Sequence, residues 1–284
     1  ILERSLYNNV LSGISLEGDR FFYPNRLESH GEDQRSEWFA CACCPSNICR
    51  FIPSVQGYIY AQDEKDIYVN LYVSSKADVY LRKNHIRINQ NSLLPWDGES
   101  RFQIYPEKQE KFAIHFRIPG WASEEVMPTD LYESLNVPDR RPEININGEK
   151  VNFTQENGYA ILDRTWESDD EVEISLPMEI LKIRAHEKVV EDHGKLAIQR
   201  GPLVYCAEWV DNQDGTVLDI EMDPNERLHV DYNPGILDGI VMIKGNGTGK
   251  EFSLIPYYSW AHRGKGEMSV WMKAVDEVIN GPSR

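Results

Sequence analysis

Hydrophobic positions recur with two different periods along the chain, and the change between them lies near residue 57. Before that point the spacing is helical, and Leu2, Leu6 and Val10 lie on one face of a first helix. A second helix is predicted to begin at Pro45, because proline is tolerated at the first helical position. Pro53 should end or kink this helix, since proline lacks the N–H that a helix interior needs.

From Gly57 onward, apolar residues alternate with polar ones, as in strands that are buried on one face. Turn sequences such as Asn147-Gly148 separate these short segments. Many short strands at this spacing predict a mainly β fold with antiparallel β-sandwiches. Residues 178–184 follow neither period well and are expected to form a transition between two β regions.

The two periods divide the chain into expected domains. The boundaries are 1–57 for the helical part, 58–178 for a first β-sandwich and 179–265 for a second, with 266–284 able to return to the first. The chain starts at Ile1, already in helical spacing. We therefore expect it to be cut within or just before a helix, and the cellular compartment is left open.

Composition narrows the classes of partner. The 284 residues carry a net charge of −16, and the sequence pI is about 4.9. Binding to nucleic acid needs a basic face, so nucleic acid is not expected as a partner. No run approaches the ~20 consecutive apolar residues that span a bilayer, so a membrane is not expected either.

The cysteines provide the candidate chemistry. Four of the five lie within nine positions, at Cys41, Cys43, Cys44 and Cys49, and an odd, clustered set does not resemble a disulfide framework. We expect Cys44 at the N-cap of the second helix, with Cys43 just before it. The positive end of the helix should then lower the pKa of both thiols. A thiolate is a nucleophile and a metal ligand, and a cation such as zinc would relieve the repulsion between two thiolates.

The other cysteines have a simpler interpretation. Cys41 and Cys49 are expected to pack as small buried hydrophobic residues, and so is Cys206, which lies in an alternating strand sequence. Neither a second cysteine pair nor a His-x₃₋₅-His pattern follows the cluster, so it offers at most part of a metal site. From the residues alone, buried packing of Cys43 and Cys44 stays open beside nucleophilic and metal-binding roles.

Several segments resemble a known family. They are F-F-Y-P-N-R-L-E at 21–28, W-F-A-C-A-C-C-P-S-N at 38–47, G-Y-I-Y at 57–60, I-P-G-W-A at 118–122 and Q-R-G-P-L-V-Y at 199–205. Together they resemble glycoside hydrolase family 127, the β-L-arabinofuranosidase family. The adjacent cysteines followed by proline are the most specific of these features, and the resemblance extends over nearly the whole chain.

The resemblance implies a fold and a set of roles. The family fold is an (α/α)6 barrel followed by two jelly-roll-like antiparallel β-sandwich domains, so this chain would hold the last barrel helices and both sandwiches. By the same resemblance, Cys43 is the nucleophile that forms a thioglycosyl intermediate with retention of configuration. Cys44 is a zinc ligand, Cys43 also contacts the zinc, and Tyr23 contacts the sugar.

The resemblance also implies groups that this chain does not match. The acid/base glutamate and an E-x-C element that supplies two more zinc ligands lie upstream in the barrel, and no Glu-x-Cys occurs here. The expected partners are an L-arabinofuranosyl oligosaccharide or glycan and the missing N-terminal barrel segment, and a homodimer is left open. The chain alone is expected to be inactive.

Two other functions stay open from the sequence. A carbohydrate-binding β-sandwich module without catalysis would be favoured by an aromatic row on an exposed sheet face, and the enzyme by an apolar face against a barrel. A structural zinc protein would need further ligands within the chain. In the polar stretch before the cysteines, the residues to examine as a ligand or a general acid are His30, Glu28, Glu32 and Glu37.

Overall fold

A computed structural model describes residues 1–247 and 249–275 of the protein. They are mainly β and contain several sheets, as the alternating pattern predicts. The chain forms two compact units, each assembled from separate stretches. The first contains 1–49, 127–137 and the described residues from 180 onward, and the second contains 50–126 and 138–179. None of the described helices is both long and apolar enough to cross a membrane.

Helices lie at the start of the chain and around the cysteines, where the apolar spacing predicts them. The segments are α1 at Leu2–Arg4, a π-helical stretch at Ser5–Val10, α2 at Cys43–Ser54 and α3 at Gln56–Ile59. α2 ends one residue after Pro53, which agrees with the disruptive effect of proline. Gly57 lies inside α3, so helical structure continues slightly beyond the predicted change of period.

Strands make up most of the rest. In chain order they are β1 Glu28–His30, β2 Tyr60–Gln62, β3 Ile67–Val69, β4 Ser75–Leu81, β5 Asn84–Ser92, β6 Glu99–Pro106, β7 Glu110–Arg117, β8 Tyr132–Ser134, β9 Glu143–Ile146, β10 Glu149–Lys150, β11 Thr154–Glu156, β12 Tyr159–Trp166, β13 Asp170–Ser175, β14 Ile180–Ala185, β15 Lys195–Arg200, β16 Leu203–Glu208, β17 Glu221–Met222, β18 His229–Asn233, β19 Ile240–Asn246, β20 Glu251–Pro256, β21 Glu267–Ser269 and β22 Met272–Ala274. Short 3-10 turns lie at Gly120–Ala122, Val190–Asp192, Trp209–Asp211, Gln213–Gly215 and Tyr257–Ser259.

The second unit contains two sheets that share one hydrophobic core. One sheet has the order β10-β9-β13-β6-β5-β4, and the other has the order β11-β12-β7-β3-β2. Alternate residues of each strand point inward, so Ile88 and Phe102 of the first sheet join Phe116 of the second in a single buried cluster. Trp166 is fully buried in the same cluster. Burying each such large side chain contributes about 1.5–3 kcal/mol, which holds the two sheets face to face.

The first unit is built around one sheet that collects strands from distant parts of the chain. Its longest path is β17-β22-β15-β16-β20-β19-β18, and β14, β8, β21 and β1 pair beside this path. β1 pairs with β21, so Ser29 lies opposite Met268. β8 pairs with β14, so Glu133 lies opposite Arg184. The sheet is therefore completed by segments far away in sequence.

Two expectations about the β regions differ from the structure. The stretch 178–184, expected as a transition, contains most of β14, which pairs with both β15 and β8. Its backbone finds partners on two sides, and these partners are not visible in its own sequence. The described part of 266–284 pairs with β1, β15, β16 and β17 and does not return to the first β region. Residues 276–284 lie outside the described residues.

Candidate active site

Helix α2 places the two adjacent cysteines in its first turn. The backbone N–H of Ser46 donates to the carbonyl of Ala42 at 3.1 Å, and the Ser46 hydroxyl donates to the same oxygen at 2.7 Å. These bonds start the helix at Cys43. The prediction that Cys44 is the N-cap is therefore wrong, because Ala42 accepts the first helical bond. Pro45 is still tolerated, since the first N–H groups of a helix have no helical partner.

A separate segment brings Tyr23 to the helix start. The backbone N–H of Ser15 donates to Arg20 at 2.8 Å, which closes a turn just before the tyrosine. The Tyr23 hydroxyl lies 2.7 Å from Cys43 Sγ. The tyrosine ring meets the edge of Phe39, with ring centroids 5.0 Å apart. The structure therefore brings together two of the three site residues predicted from separate segments.

The third predicted residue, Cys44, lies beside Cys43. The two Sγ atoms are 3.8 Å apart. Cys43 is exposed, Cys44 is half-buried and Tyr23 is 40% exposed, so a ligand can reach all three. Within residues 1–247 and 249–275, no group of three or more His, Cys, Asp or Glu side chains is arranged to hold a metal ion.

The hydrogen bonds give the two thiols different acidities. The Tyr23 hydroxyl, followed by the Cys44 thiol, donates toward Cys43 and lowers the pKa of the Cys43 thiol. The same interaction with Cys43, together with partial desolvation, raises the pKa of the Cys44 thiol. The pKa of Tyr23 rises because its hydroxyl is held by Cys43 and Cys41. Cys43 is therefore the thiol that this arrangement favours as a thiolate.

The remaining cysteines fall into two groups. Cys206 in β16 is completely buried, as predicted, and burial raises the pKa of its thiol. Cys41 and Cys49 are exposed, so the expectation that they pack as buried residues is wrong. Cys49 lies in α2, which has Pro45 as its buried residue among the described side chains, and Cys41 lies two residues before the helix begins. A helical period shows which residues share a face and not whether that face is covered.

The other candidates from the polar stretch do not approach the thiols in any described contact. His30 pairs with Glu28 at 3.7 Å on β1. Glu37 forms an ion pair with Arg20 at 2.9 Å, and both side chains are exposed. These contacts match the solvated, charge-paired surface that is usual for such residues.

Sequence reasoning did not single out Arg35, which supports the segment that carries Tyr23. Its guanidinium lies 4.5 Å from the centre of the Phe22 ring, and Phe22 stacks on Trp260 at 4.9 Å. Arg35 also donates to the carbonyls of Trp260 at 2.7 Å and Ser12 at 2.9 Å. Burial lowers its pKa to about 10. No local signal marks this arginine, because its partners come from distant parts of the chain.

Comparisons with protein-family models match three consecutive parts of the chain. The GH127 beta-L-arabinofuranosidase catalytic domain matches residues 1–57, the GH127 middle domain matches 66–178, and the glycoside hydrolase family 127 C-terminal domain matches 180–273. The three matches follow one another in order, and all describe the same family.

Individual relatives agree with these models. A curated non-reducing end beta-L-arabinofuranosidase from Bifidobacterium longum is 30% identical, over 96% of this chain and 45% of its own length. A solved GH127 beta-arabinofuranosidase has a TM-score of 0.90 and 42% identity, covering 96% of this chain and 45% of that protein. A GH127 beta-L-arabinofuranosidase from Geobacillus stearothermophilus T6 has a TM-score of 0.85 and 35% identity, covering 96% and 46%.

The chain spans about half the length of these relatives. Within that span the agreement extends from the segment that carries Tyr23 and the two cysteines to the last described strands. The matches to three successive domains and the similarity of the folds lead to one conclusion: the chain belongs to glycoside hydrolase family 127.

Proposed function

We propose that the protein is a retaining glycoside hydrolase that removes β-L-arabinofuranosyl residues, with Cys43 as its nucleophile. The observation that carries this proposal is the 2.7 Å contact between the Tyr23 hydroxyl and Cys43 Sγ at the start of α2. A nucleophilic cysteine needs exposure and a neighbour that stabilises its thiolate, and Cys43 has both. The relatives are named as beta-L-arabinofuranosidases, which supports the choice of sugar.

Cys43 and Cys44 also fit a shared zinc ion. Two thiolates at ~2.3 Å from one zinc in tetrahedral geometry lie ~3.8 Å apart, and the two Sγ atoms are separated by 3.8 Å. When bound, zinc would keep the thiolate deprotonated at neutral pH. We propose Cys43 and Cys44 as the ligands from this chain, with further ligands supplied by the E-x-C element outside it.

The chain's own residues account for half of a retaining reaction. The Cys43 thiolate attacks the anomeric carbon, an S–C bond forms, and the glycosidic C–O bond breaks as the leaving oxygen takes a proton from a general acid. Water, losing a proton to the conjugate base of that acid, then attacks the anomeric carbon from the face opposite the sulfur, and the S–C bond breaks to release the thiolate, so the overall configuration is retained. Tyr23, held against Cys43, contacts the sugar and orients the sulfur. The general acid is proposed to come from the barrel segment outside this chain.

The domain roles follow from the same proposal. Residues 1–57 would form the last part of an (α/α)6 barrel, and the two β regions would be jelly-roll-like β-sandwiches. The shared core of the two sheets in the second unit supports the first of these sandwiches. α2 has a half-exposed apolar side, which suits a helix that other barrel helices cover. A homodimer stays a prediction.

The test compares the full-length protein with the 284-residue chain on an aryl β-L-arabinofuranoside. The full-length protein should release L-arabinose with retention of configuration. The kcat/KM of Cys43→Ala should be at least ~10³-fold lower, because this variant has no thiolate to attack the anomeric carbon. Cys49→Ala, which removes another exposed thiol of the same helix, is the matched control and should keep full activity. The 284-residue chain should show no turnover.

Three results would contradict these statements. Activity in Cys43→Ala would exclude the nucleophile, and turnover by the 284-residue chain would exclude the need for an outside acid. Zinc analysis adds an independent measurement: the full-length protein should hold one zinc per chain, and Cys44→Ala should lose it. One tightly held zinc in the 284-residue chain, without activity in the full-length protein, would favour a structural zinc protein.

A further inference from the structure

The outer face of the six-stranded sheet in the second unit carries a row of polar side chains. Along β5, Ile86 and Ile88 are fully buried, so Asn89 points away from the core with the other odd-numbered residues. The register continues this row on both sides. Lys76 of β4 lies opposite Asn89, and Asn89 lies opposite Gln103 of β6.

Gln103 in turn lies opposite Glu171 of β13, so the row extends over four strands. A second row runs beside it, in which Asn91 lies opposite Arg101, and Arg101 lies opposite Glu173. Side chains that face each other across strands lie about 4.5–5.5 Å apart at Cβ. The two rows therefore form one continuous polar surface.

This surface is concave. It lines a groove of about 640 Å³, whose walls include Lys76, Asn89, Gln103, Arg101 and Glu171. A groove of this volume lies within the range of about 300–1,000 Å³ that is typical of small-molecule sites. Its charged groups are the cations of Lys76 and Arg101 and the carboxylate of Glu171, so the net charge of the lining is small. Its other polar groups are amides and hydroxyls.

The polar side chains of the groove differ in their hydrogen-bonding state. The Oδ1 atom of Asn89 is buried and has no partner among the described residues. Gln103 accepts a bond from the Tyr105 hydroxyl at 3.3 Å through Oε1, which orients its amide. The Arg101 guanidinium is fixed by Glu173 and, at 3.6 Å, by Glu171. Oriented amides and a fixed guanidinium–carboxylate pair offer donors and acceptors side by side.

Aromatic rings lie on the same outer face. The guanidinium of Arg87, which shares β5 with Asn89, lies 5.2 Å from the centre of the Tyr105 ring. Tyr80 of β4 stacks on His85 with ring centroids 4.7 Å apart. These rings are not among the residues that line the groove, but they extend the same face of the sheet with flat surfaces that suit the C–H faces of a ligand.

We propose that this outer face holds a glycan-binding site centred on Asn89 and Gln103. A neutral sugar presents vicinal hydroxyl groups that pair with adjacent amide, guanidinium and carboxylate groups, and it carries no net charge to be neutralised. The protein's net charge of −16 disfavours a polyanionic ligand. The site contains none of Cys43, Cys44 or Tyr23, and it does not depend on the proposed hydrolase activity.

Affinity gel electrophoresis of the full-length protein in arabinan, xylan or dextran sulfate tests this proposal. We expect retardation in at least one of the two neutral polysaccharides. In the double variant Asn89→Ala/Gln103→Ala, the polysaccharide concentration for half-maximal retardation should rise about tenfold, because the hydrogen bonds of both side chains to the sugar are lost. Mobilities are compared with gels that contain no polysaccharide.

The matched control is Asn152→Ala/Gln155→Ala, which removes one exposed asparagine and one exposed glutamine of the same unit outside the groove. It should be retarded like the unmodified protein. Both double variants should hydrolyse the aryl β-L-arabinofuranoside at the unmodified rate, so a failure of the hydrolase proposal would appear in that assay alone. Absence of retardation in both neutral polysaccharides, retardation in dextran sulfate alone, or equal retardation of the two variants would overturn the proposal.

Discussion

The first turn of α2 and the middle of β16 both carry cysteine, but the two regions give the same thiol group opposite properties. Cys43 is exposed and accepts a hydrogen bond from Tyr23, which lowers the pKa of its thiol. Cys206 is 0% exposed, lies opposite Ile255 of β20, and has a raised pKa because of burial. The surroundings of a cysteine, and not the residue type, therefore decide whether its thiol is available for chemistry.

The two regions also differ in how they are held. β16 pairs with β15, β20 and β21, so its backbone is bonded on both sides. The helix start that carries Cys43 has a largely exposed surface, and its neighbour Tyr23 is supported by the stack of Phe22 between Arg35 and Trp260. The proposed nucleophile thus lies where local packing is sparse, and the buried thiol lies where packing is dense.

The largest expected contrast is in labelling by iodoacetamide. In zinc-free native protein, Cys43 should react on the order of 10³-fold faster than Cys206, because Cys206 becomes accessible only when the strand opens at a cost of several kcal/mol. Peptide mass spectrometry over a time course measures both rates. In denaturant the two rates should converge, and similar rates in the native protein would contradict the burial of Cys206.

The next contrast is in stability. Cys206→Ser places a hydroxyl in an apolar site and should lower the free energy of unfolding by about 1–3 kcal/mol. Cys43→Ser on the exposed helix start should change it by less than about 0.5 kcal/mol. Urea unfolding followed by tryptophan fluorescence measures both. Cys206→Val keeps the site apolar and is the control; if it destabilises as much as serine, the polarity argument fails.

An effect of similar size is expected from loss of the Tyr23 contact. Tyr23→Phe keeps the ring against Phe39 but removes the hydroxyl bonded to Cys43, and a hydrogen bond to a charged group contributes about 1.5–3 kcal/mol. In the full-length protein, Tyr23→Phe should therefore lower kcat/KM for the aryl β-L-arabinofuranoside about tenfold or more. Tyr80→Phe removes an exposed hydroxyl elsewhere and is the control. Equal activities of the two variants would show that the contact does not assist Cys43.

The smallest effect is a pH dependence at His262, which joins the turn before Tyr23 to the C-terminal β region. Its Nδ1–H donates to the Ser259 carbonyl at 2.8 Å, and its Nε2 accepts from the Leu16 N–H at 3.1 Å, so the folded protein uses the neutral ring. Burial and, secondarily, Arg35 lower the pKa of His262 below its ordinary value, and the hydrogen bond to Ser259, followed by the charge of Glu17, offsets only part of this lowering.

The unfolded protein therefore binds the proton more tightly than the folded one. This contribution to stability is complete above the ordinary pKa of about 6.5 and decreases as the pH falls through it. His262→Gln keeps a hydrogen-bonding side chain that does not titrate. The difference between the urea unfolding midpoints of the unmodified protein and His262→Gln should shrink from pH 7.5 to pH 5. A difference that stays constant over that range would show that His262 does not cause the pH dependence.

Much of the local structure is predictable from the sequence because it depends on near neighbours. The helix around Pro45 and the alternation of strands such as Glu143–Ile146 follow from residue spacing alone. The three candidate site residues Tyr23, Cys43 and Cys44 are predicted from family resemblance in short segments. That prediction needs no knowledge of the distances between them.

The spacing of apolar and polar residues predicts where most helices and strands lie and which of their side chains share a face, but it does not reveal β14. Only the tertiary structure decided which strands pair, as in β1 with β21 and β8 with β14. It also decided that Cys49 is exposed and that the unremarkable Arg35 is buried. The physical reason is that a period specifies one face of an element, whereas its partner is chosen by long-range packing.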